Sequence, residues 1–251
     1  MTSQRITWVA LVSLNLMASI PLAARADALS DLNAKLRDLQ APTPLKGMLD
    51  VRSTDLGANT DPSESHDAHL QLAVSEDNGL DIHLDPVLLR KIDVEDAQHA
   101  ADGNQPEPTS ELLSDAGPEK IQHMLSTAAA LLWDLDGATL VSAKPDAQTG
   151  GTSVALSLPL HASKKDSGDV KDFRHDIVLT LDAHGVPLAY HDTTHAKFCK
   201  FFLCVTVDET HDATLEVVDG RLVTVSLTAE HKQSGLGQGA GMRVAYALRL
   251  Q

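Results

Sequence analysis

The stretch Asp176-Ile177-Val178-Leu179-Thr180-Leu181-Asp182-Ala183-His184-Gly185-Val186-Pro187-Leu188-Ala189-Tyr190 decides the fold. Ile177, Leu179 and Leu181 share one parity, and Val186, Leu188 and Tyr190 share another beyond Ala183-His184-Gly185. A strand turns alternate side chains to opposite faces, so a period of two on either side of a glycine turn reads as a hairpin with one apolar face. The same signature repeats outward. Downstream come Phe201, Leu203, Val205 and Val207, then Leu215 and Val217, the turn Asp219-Gly220, then Val223, Val225 and Leu227, and finally Met242, Val244, Tyr246, Leu248 and Leu250. Upstream, Val154, Leu156, Leu158 and Leu160 follow Gly150-Gly151, and Asp136-Gly137 punctuates an alternating run that starts near Trp133.

Nearer the N-terminus, Gly47, Leu49 and Val51 alternate with Lys46, Asp50 and Arg52. Leu70, Leu72 and Val74 are joined to Leu80, Ile82 and Leu84 by Asp77-Asn78-Gly79, and Asn-Gly between alternating runs is a strong hairpin signal. The period shifts to helical in three places. Leu29, Leu32, Leu36 and Leu39 mark an amphipathic helix over 28–40 that Pro42 and Pro44 stop. Pro86 opens a helix through Leu88, Leu89 and Ile92, and Pro118 opens one carrying Ile121, Leu125, Ala128 and Leu132 on one side. Residues 55–67, 101–108 and 163–172 are polar loops or linkers.

About ten strands with mostly short turns make an antiparallel meander. A two-sheet sandwich would also give one-sided strands. The helices at the start and in the middle, however, have apolar stripes of their own to bury. The expected class is therefore α+β: one large, curved, half-barrel-like antiparallel sheet, with the N-terminal helix and a central helical insertion packed on one face.

Residues 1–26 read as a secretory signal peptide. Arg5 precedes an apolar run from Trp8 to Ala24, Pro21 breaks the run, and Ala24-Arg25-Ala26 supplies a small-x-small cleavage site before Asp27. The expected product is a single exported domain, 27–251, in the periplasm or outside the cell. Losing Arg5 and Arg25, and no acid, takes the net charge from −15 to −17. Such a chain lacks the basic footprint that nucleic acid or an anionic membrane surface requires of a principal partner, and its 3% aromatic content disfavours a stacking platform for bases or sugars. No later stretch is long and apolar enough to span a bilayer.

In an oxidising compartment the two cysteines, Cys199 and Cys204, are expected to form a disulfide, with two free thiols as the alternative. The histidines invite a metal reading at His191, His195 and His211. On an extended strand, though, His-x3-His spans about 13 Å, too far for one ion without a bend. His69, His83, His161 and His191 have the polar parity of their strands, as solvated histidines do. The glycine series Gly235 to Gly241 precedes an alternating strand, not a helix, so it reads as a hairpin loop and not a phosphate cradle. No nucleophile elbow, paired-histidine zinc motif or acid/base carboxylate couple stands out, and no catalytic residue, cofactor or metal is assigned.

In layout the chain resembles the periplasmic lipoprotein-carrier (LolA/LolB-like) half-barrel superfamily. The likeness lies in an N-terminal helix, a first strand with Leu45-Lys46-Gly47, a helical interruption, a closing antiparallel meander, and a late hairpin from Asp176 to Tyr190. It implies a non-enzymatic carrier using the concave side of the sheet for a lipid or other apolar ligand. The family's aromatic-lined cavity has little counterpart in a chain whose single tryptophan after residue 26 is Trp133. An envelope protein-interaction module and a His/Cys metal binder are the other readings.

Overall fold

A computed structural model describes residues 22–56, 68–77, 79–160, 170–200, 203–235 and 238–251. In chain order the elements are α1 (Leu22–Asp38), β1 (Lys46–Asp55), β2 (Ala68–Ser75), β3 (Asp81–Leu84), α2 (Pro86–Ala101), α3 (Pro108–Asp115), α4 (Pro118–Leu125), α5 (Thr127–Asp134), β4 (Thr139–Pro145), β5 (Thr152–Ser157), β6 (Val170–Leu181), β7 (Pro187–Lys200), β8 (Leu203–Val218), β9 (Arg221–Gly235) and β10 (Gln238–Leu250). The strands form one open antiparallel sheet in the order β3-β2-β1-β10-β9-β8-β7-β6-β5-β4. The α+β expectation holds.

Topology explains where the helices go. β3 and β4 succeed one another as strands yet lie at opposite edges of the sheet. The chain between them must cross a whole face, and it does so as α2 to α5, of which α3, α4 and α5 bury apolar side chains there. α3 packs on β1 and β2, α4 and α5 on β9, and α1 on α5 and β4. The apolar strand faces turn toward these helices and not toward a second sheet. Leu32 and Leu36 of α1, Leu49, Leu70, Leu72, Leu112, Leu125, Leu156, Ile177, Leu179 and Leu222 belong to a single buried cluster. These core leucines of α1 all follow the Ala26–Asp27 junction, which falls inside the helix, so a chain cut there keeps its core face. Residues 1–21, most of the segment read as a signal peptide, lie outside the described residues.

Polar clamps fix the layer. Arg221 forms a two-pronged pair with Glu76, its Nη1 2.7 Å from Oε2 and its Nη2 2.9 Å from Oε1. The same guanidinium donates to the Thr43 carbonyl and the Ser126 hydroxyl. Thr127 and Thr224 share a hydroxyl–hydroxyl bond of 2.7 Å between α5 and β9, and Glu95 of α2 accepts from the backbone and hydroxyl of Thr109 in α3.

Several boundaries differ from the sequence reading. The helix opened by Pro118 divides at Ser126, whose hydroxyl is taken by Arg221 and Gln122. Trp133 lies in the last turn of α5 instead of beginning a strand, in keeping with the helix-forming run Ala128 to Leu132. α3 arises where no helix was read, and α2 extends to Ala101. The separate strands read near 201–207 and 215–217 are one, β8, bent by a bulge opposite Thr214/Leu215. Most of the Gly235–Gly241 series belongs to strands, with Gly235 paired to Gln238.

Candidate functional site

β7, β8 and β9 are 14, 16 and 15 residues long and run well past the helix layer. Strand register divides the helix-bearing face into three zones. Nearest the helices is the leucine core. Next comes a belt of ionisable side chains, and beyond it an apolar band toward the β7–β8 turn.

The belt is set by polar residues at apolar parity. His175 is in step with Ile177 and Leu179, Asp192 with Tyr190, His211 with Ala213, and His231 with Ala229 and Leu227. Cross-strand pairing brings Asp192 opposite His211 and Glu209 opposite His231. The His175 Nε2 lies 3.0 and 3.1 Å from the two carboxylate oxygens of Asp192. His211 Nδ1 stands 3.9 Å from the same group, and His231 Nδ1 is 3.0 Å from Glu209 Oε1. α4 and α5 contribute Lys120, His123 and Asp134 from above, and α3 contributes Asp115. Three adjoining hollows of about 390, 360 and 240 Å3 run along this helix edge, sharing Asp115, His231 and Met242, and then Lys120, Glu209 and His211. The largest also has Pro108, Leu112, Ala240 and Met242 in its wall.

Two imidazoles meeting one carboxylate are tuned in opposite directions. Burial pulls the His175 pKa down, but the hydrogen bond and charge of Asp192, with Asp134 and Asp176 beyond, override it and hold the ring above its ordinary value. His211 is lowered, first by burial and then by Lys120 and His175, against the opposing pull of Asp192 and Glu209. Burial also raises Asp115 and Tyr190 and pushes Tyr246 up to about 12. The groove therefore sets His175, held toward its charged form by Asp192, beside His211, held toward its neutral form by burial.

The apolar band comes from the same parity further along. Val170 pairs with Phe198, and Phe173 with Ala196. Ala196 in turn faces Val207, and Phe198 faces Val205. Ala196 is buried by its neighbours although the principal helix contacts lie elsewhere, while Phe198 remains 41% exposed.

The sequence-derived candidates fall into separate places. Cys199 and Cys204 are direct cross-strand partners, with sulfurs at disulfide distance, 2.07 Å, and Cα atoms 4.2 Å apart. His191 and His195 project from the opposite face of β7 and are engaged by Asp212 at 2.7 Å and Asp208 at 2.6 Å. His211 is on the helix-bearing face, so the three histidines do not converge. Among the described residues no group of three His, Cys, Asp or Glu side chains is arranged to hold a metal ion. His69 and His83 are exposed, as their parity implies; His161 lies outside the described residues. Sequence reasoning missed His175, Asp192, Glu209 and His231. The available signal was the converse of the one applied: a charged residue on the apolar parity of a long strand.

Among the described residues no helix is long and apolar enough to cross a membrane. Compared with known proteins, the chain matches no family model, no curated protein and no solved structure.

Proposed function

We propose that this is an exported, non-enzymatic binding or carrier protein that takes an apolar or amphipathic ligand on the part of the helix-bearing face the helices leave bare. The observation that carries this reading is the apolar band of Phe173, Ala196, Phe198, Val205 and Val207, continuous by register with the groove along α3 and α4. An apolar strip on a sheet face over which the described residues place no helix is a candidate binding surface. The belt gives such a ligand a polar handle: an acyl or other apolar body fits the band, and a headgroup fits the His175–Asp192–Lys120 region. The layout shared with the lipoprotein-carrier half-barrels points the same way, and export accords with the cysteine pair.

Native mass spectrometry of protein purified from its own host tests the reading, together with titration of a fluorescent fatty-acyl probe. Expected are a discrete added mass extractable into organic solvent and saturable probe uptake that Val207→Asp weakens. Empty protein that takes up no probe sinks it. A second reading, an envelope protein partner, is favoured by α2, which turns Val87 and Val94 outward at 65% and 55% exposure. Stoichiometric co-purification of one protein, lost in Val87→Lys/Val94→Lys, would select it.

A further inference from the structure

On β7, Tyr190, Asp192 and Thr194 stand in line on the helix-bearing face, and Ala196 carries the line into the apolar band. The residues opposite them on β8 are Ala213, His211, Glu209 and Val207. Tyr190, Thr194 and His211 all line the hollow of about 240 Å3 over this patch. The hydrogen bonds of the belt pass these three by. Asp192 is taken by His175, and Glu209 by His231. His211 Nδ1, 3.9 Å from Asp192, is beyond hydrogen-bond length. Among the described residues neither ring nitrogen of His211 has a hydrogen-bond partner, and neither do the hydroxyls of Tyr190 and Thr194. No side-chain polar atom among the described residues is both fully buried and unpartnered, so these groups reach open space. Burial holds two of them toward their uncharged forms, raising the Tyr190 phenol and lowering the His211 imidazole.

We propose that Tyr190, Thr194 and His211 form the head-group site for an uncharged amphiphile, one whose polar end is a hydroxyl or a hydroxyl-bearing ester. This rests on the carrier reading and adds to it the class of ligand and the residues that select it. Charge decides against the other heads. The wall of the hollow holds Asp134, Asp192 and Glu209 together with Lys120 and His175. A head of either full charge meets like charges there along with opposite ones, and it gives up its hydration on entry. An anion is opposed further by a chain of net charge −15. A hydroxyl head meets no such opposition and finds matching partners, since it donates one hydrogen bond and accepts two. The Tyr190 and Thr194 hydroxyls donate to it, and the unprotonated nitrogen of His211 accepts from it. The tail leaves over Ala196 and Val207, which face one another where the apolar band begins.

The test is calorimetric titration of the delipidated, full-length exported protein near neutral pH with three probes of one chain length: decanol, decanoate and decylammonium. Expected is decanol bound about tenfold more tightly than either ion. Tyr190→Phe and Thr194→Val keep the shape of their side chains and remove only a hydroxyl or its equivalent. Each should weaken decanol about fivefold and change the two ions little. Val207→Ser, which touches the tail path alone, should weaken all three probes alike. Tighter binding of either ion, or equal binding of all three, overturns the head-group proposal and leaves the carrier reading standing. Parent-like decanol binding by both Tyr190→Phe and Thr194→Val does the same. Failure of every probe to bind overturns the carrier reading and this proposal with it.

Discussion

Replacing Glu76 by Gln removes one charge from a site that the fold has closed. The side chains of Arg221 and Glu76 are 11% and 10% exposed. Glutamine keeps the shape and one acceptor but leaves the guanidinium with only the Ser126 hydroxyl and the Thr43 carbonyl, both neutral. Breaking a buried pair by neutralising one partner strands the other charge and costs about 3–5 kcal/mol, whereas replacing both partners by apolar residues of similar volume is often close to neutral. In a domain of this size that loss corresponds to a fall in Tm of about 6–20 °C. The assay is thermal and urea unfolding of Glu76→Gln, Arg221→Met and the double variant Glu76→Leu/Arg221→Met. Both single variants should fall by that amount, and the double should recover more than half of it. Arg221 ties β9, the α4–α5 break and the segment after α1 to the β2–β3 turn, so the urea m-value of the singles should stay unchanged if the clamp acts on the whole layer. Single variants within 1 kcal/mol of the parent, or a double that loses the sum of both, would refute the reasoning.

The belt allows a signed pH prediction. His175 has a raised folded pKa, so its contribution to stability is complete below the unfolded value and disappears as pH climbs through the folded one. His211, with a lowered folded pKa, contributes above the unfolded value and loses that contribution as pH falls through the folded one. In His211→Phe the acid-side loss should shrink, seen as a smaller Tm drop between pH 7 and pH 5, with no such change on the alkaline side. Asp192→Asn should move the NMR titration midpoints of both His175 and His211 downward; an unmoved His175 would show that Asp192 is not its anion. Gly47→Ala places a Cβ 2.6 Å from the Arg249 carbonyl oxygen across β10 and should cost about 1–3 kcal/mol in urea unfolding. Cys199→Ser/Cys204→Ser should lose about 2 kcal/mol on the chain-entropy account of so short a loop, with the far-ultraviolet spectrum unchanged.

The sheet was legible because each strand repeats one physical requirement, an apolar residue at every second position, for as long as helices cover it. Leu49, Leu70, Leu179 and Leu248 all obey it. Their neighbours across the sheet follow from register, without any motif. What resisted reading is where that requirement lapses. Beyond the helix layer parity still assigns faces but no longer assigns polarity, so His175, Asp192 and His211 look like noise in an amphipathic pattern until cross-strand pairing sets them side by side. Residues 191–200 suffered in the same way. Their Thr and Phe content reads as extended, as β7 is, but His191 and His195 drew attention to the solvent face while their neighbour Asp192 pointed into the groove. Helix ends failed for a different reason. Ser126 breaks the Pro118 helix because of Arg221, which lies 95 residues away, and local propensity contains no trace of such a partner.

The order of the three zones restricts how a ligand could be held. A cavity under the helices would have to displace Leu125, Leu131 or Leu222, each at most 3% exposed and fixed by the Arg221 and Thr127–Thr224 contacts. Opening that half means breaking the core. The apolar band on β7 and β8 needs no such rearrangement, since among the described residues no principal helix contact lies on those strands, and the groove is already open along the helix edge. On the proposed carrier reading, entry is from the far end of the band, and an apolar ligand moving inward reaches the His175–Asp192 pair last. There a partly buried, hydrogen-bonded imidazole–carboxylate pair disfavours an alkyl chain but accommodates a polar end, because covering polar groups without replacing their hydrogen bonds is costly. On that reading the arrangement would select ligands with one apolar and one polar end, oriented polar end first. An unfunctionalised hydrocarbon of the same length should bind more weakly than its acid or alcohol, and Asp192→Asn should narrow that difference.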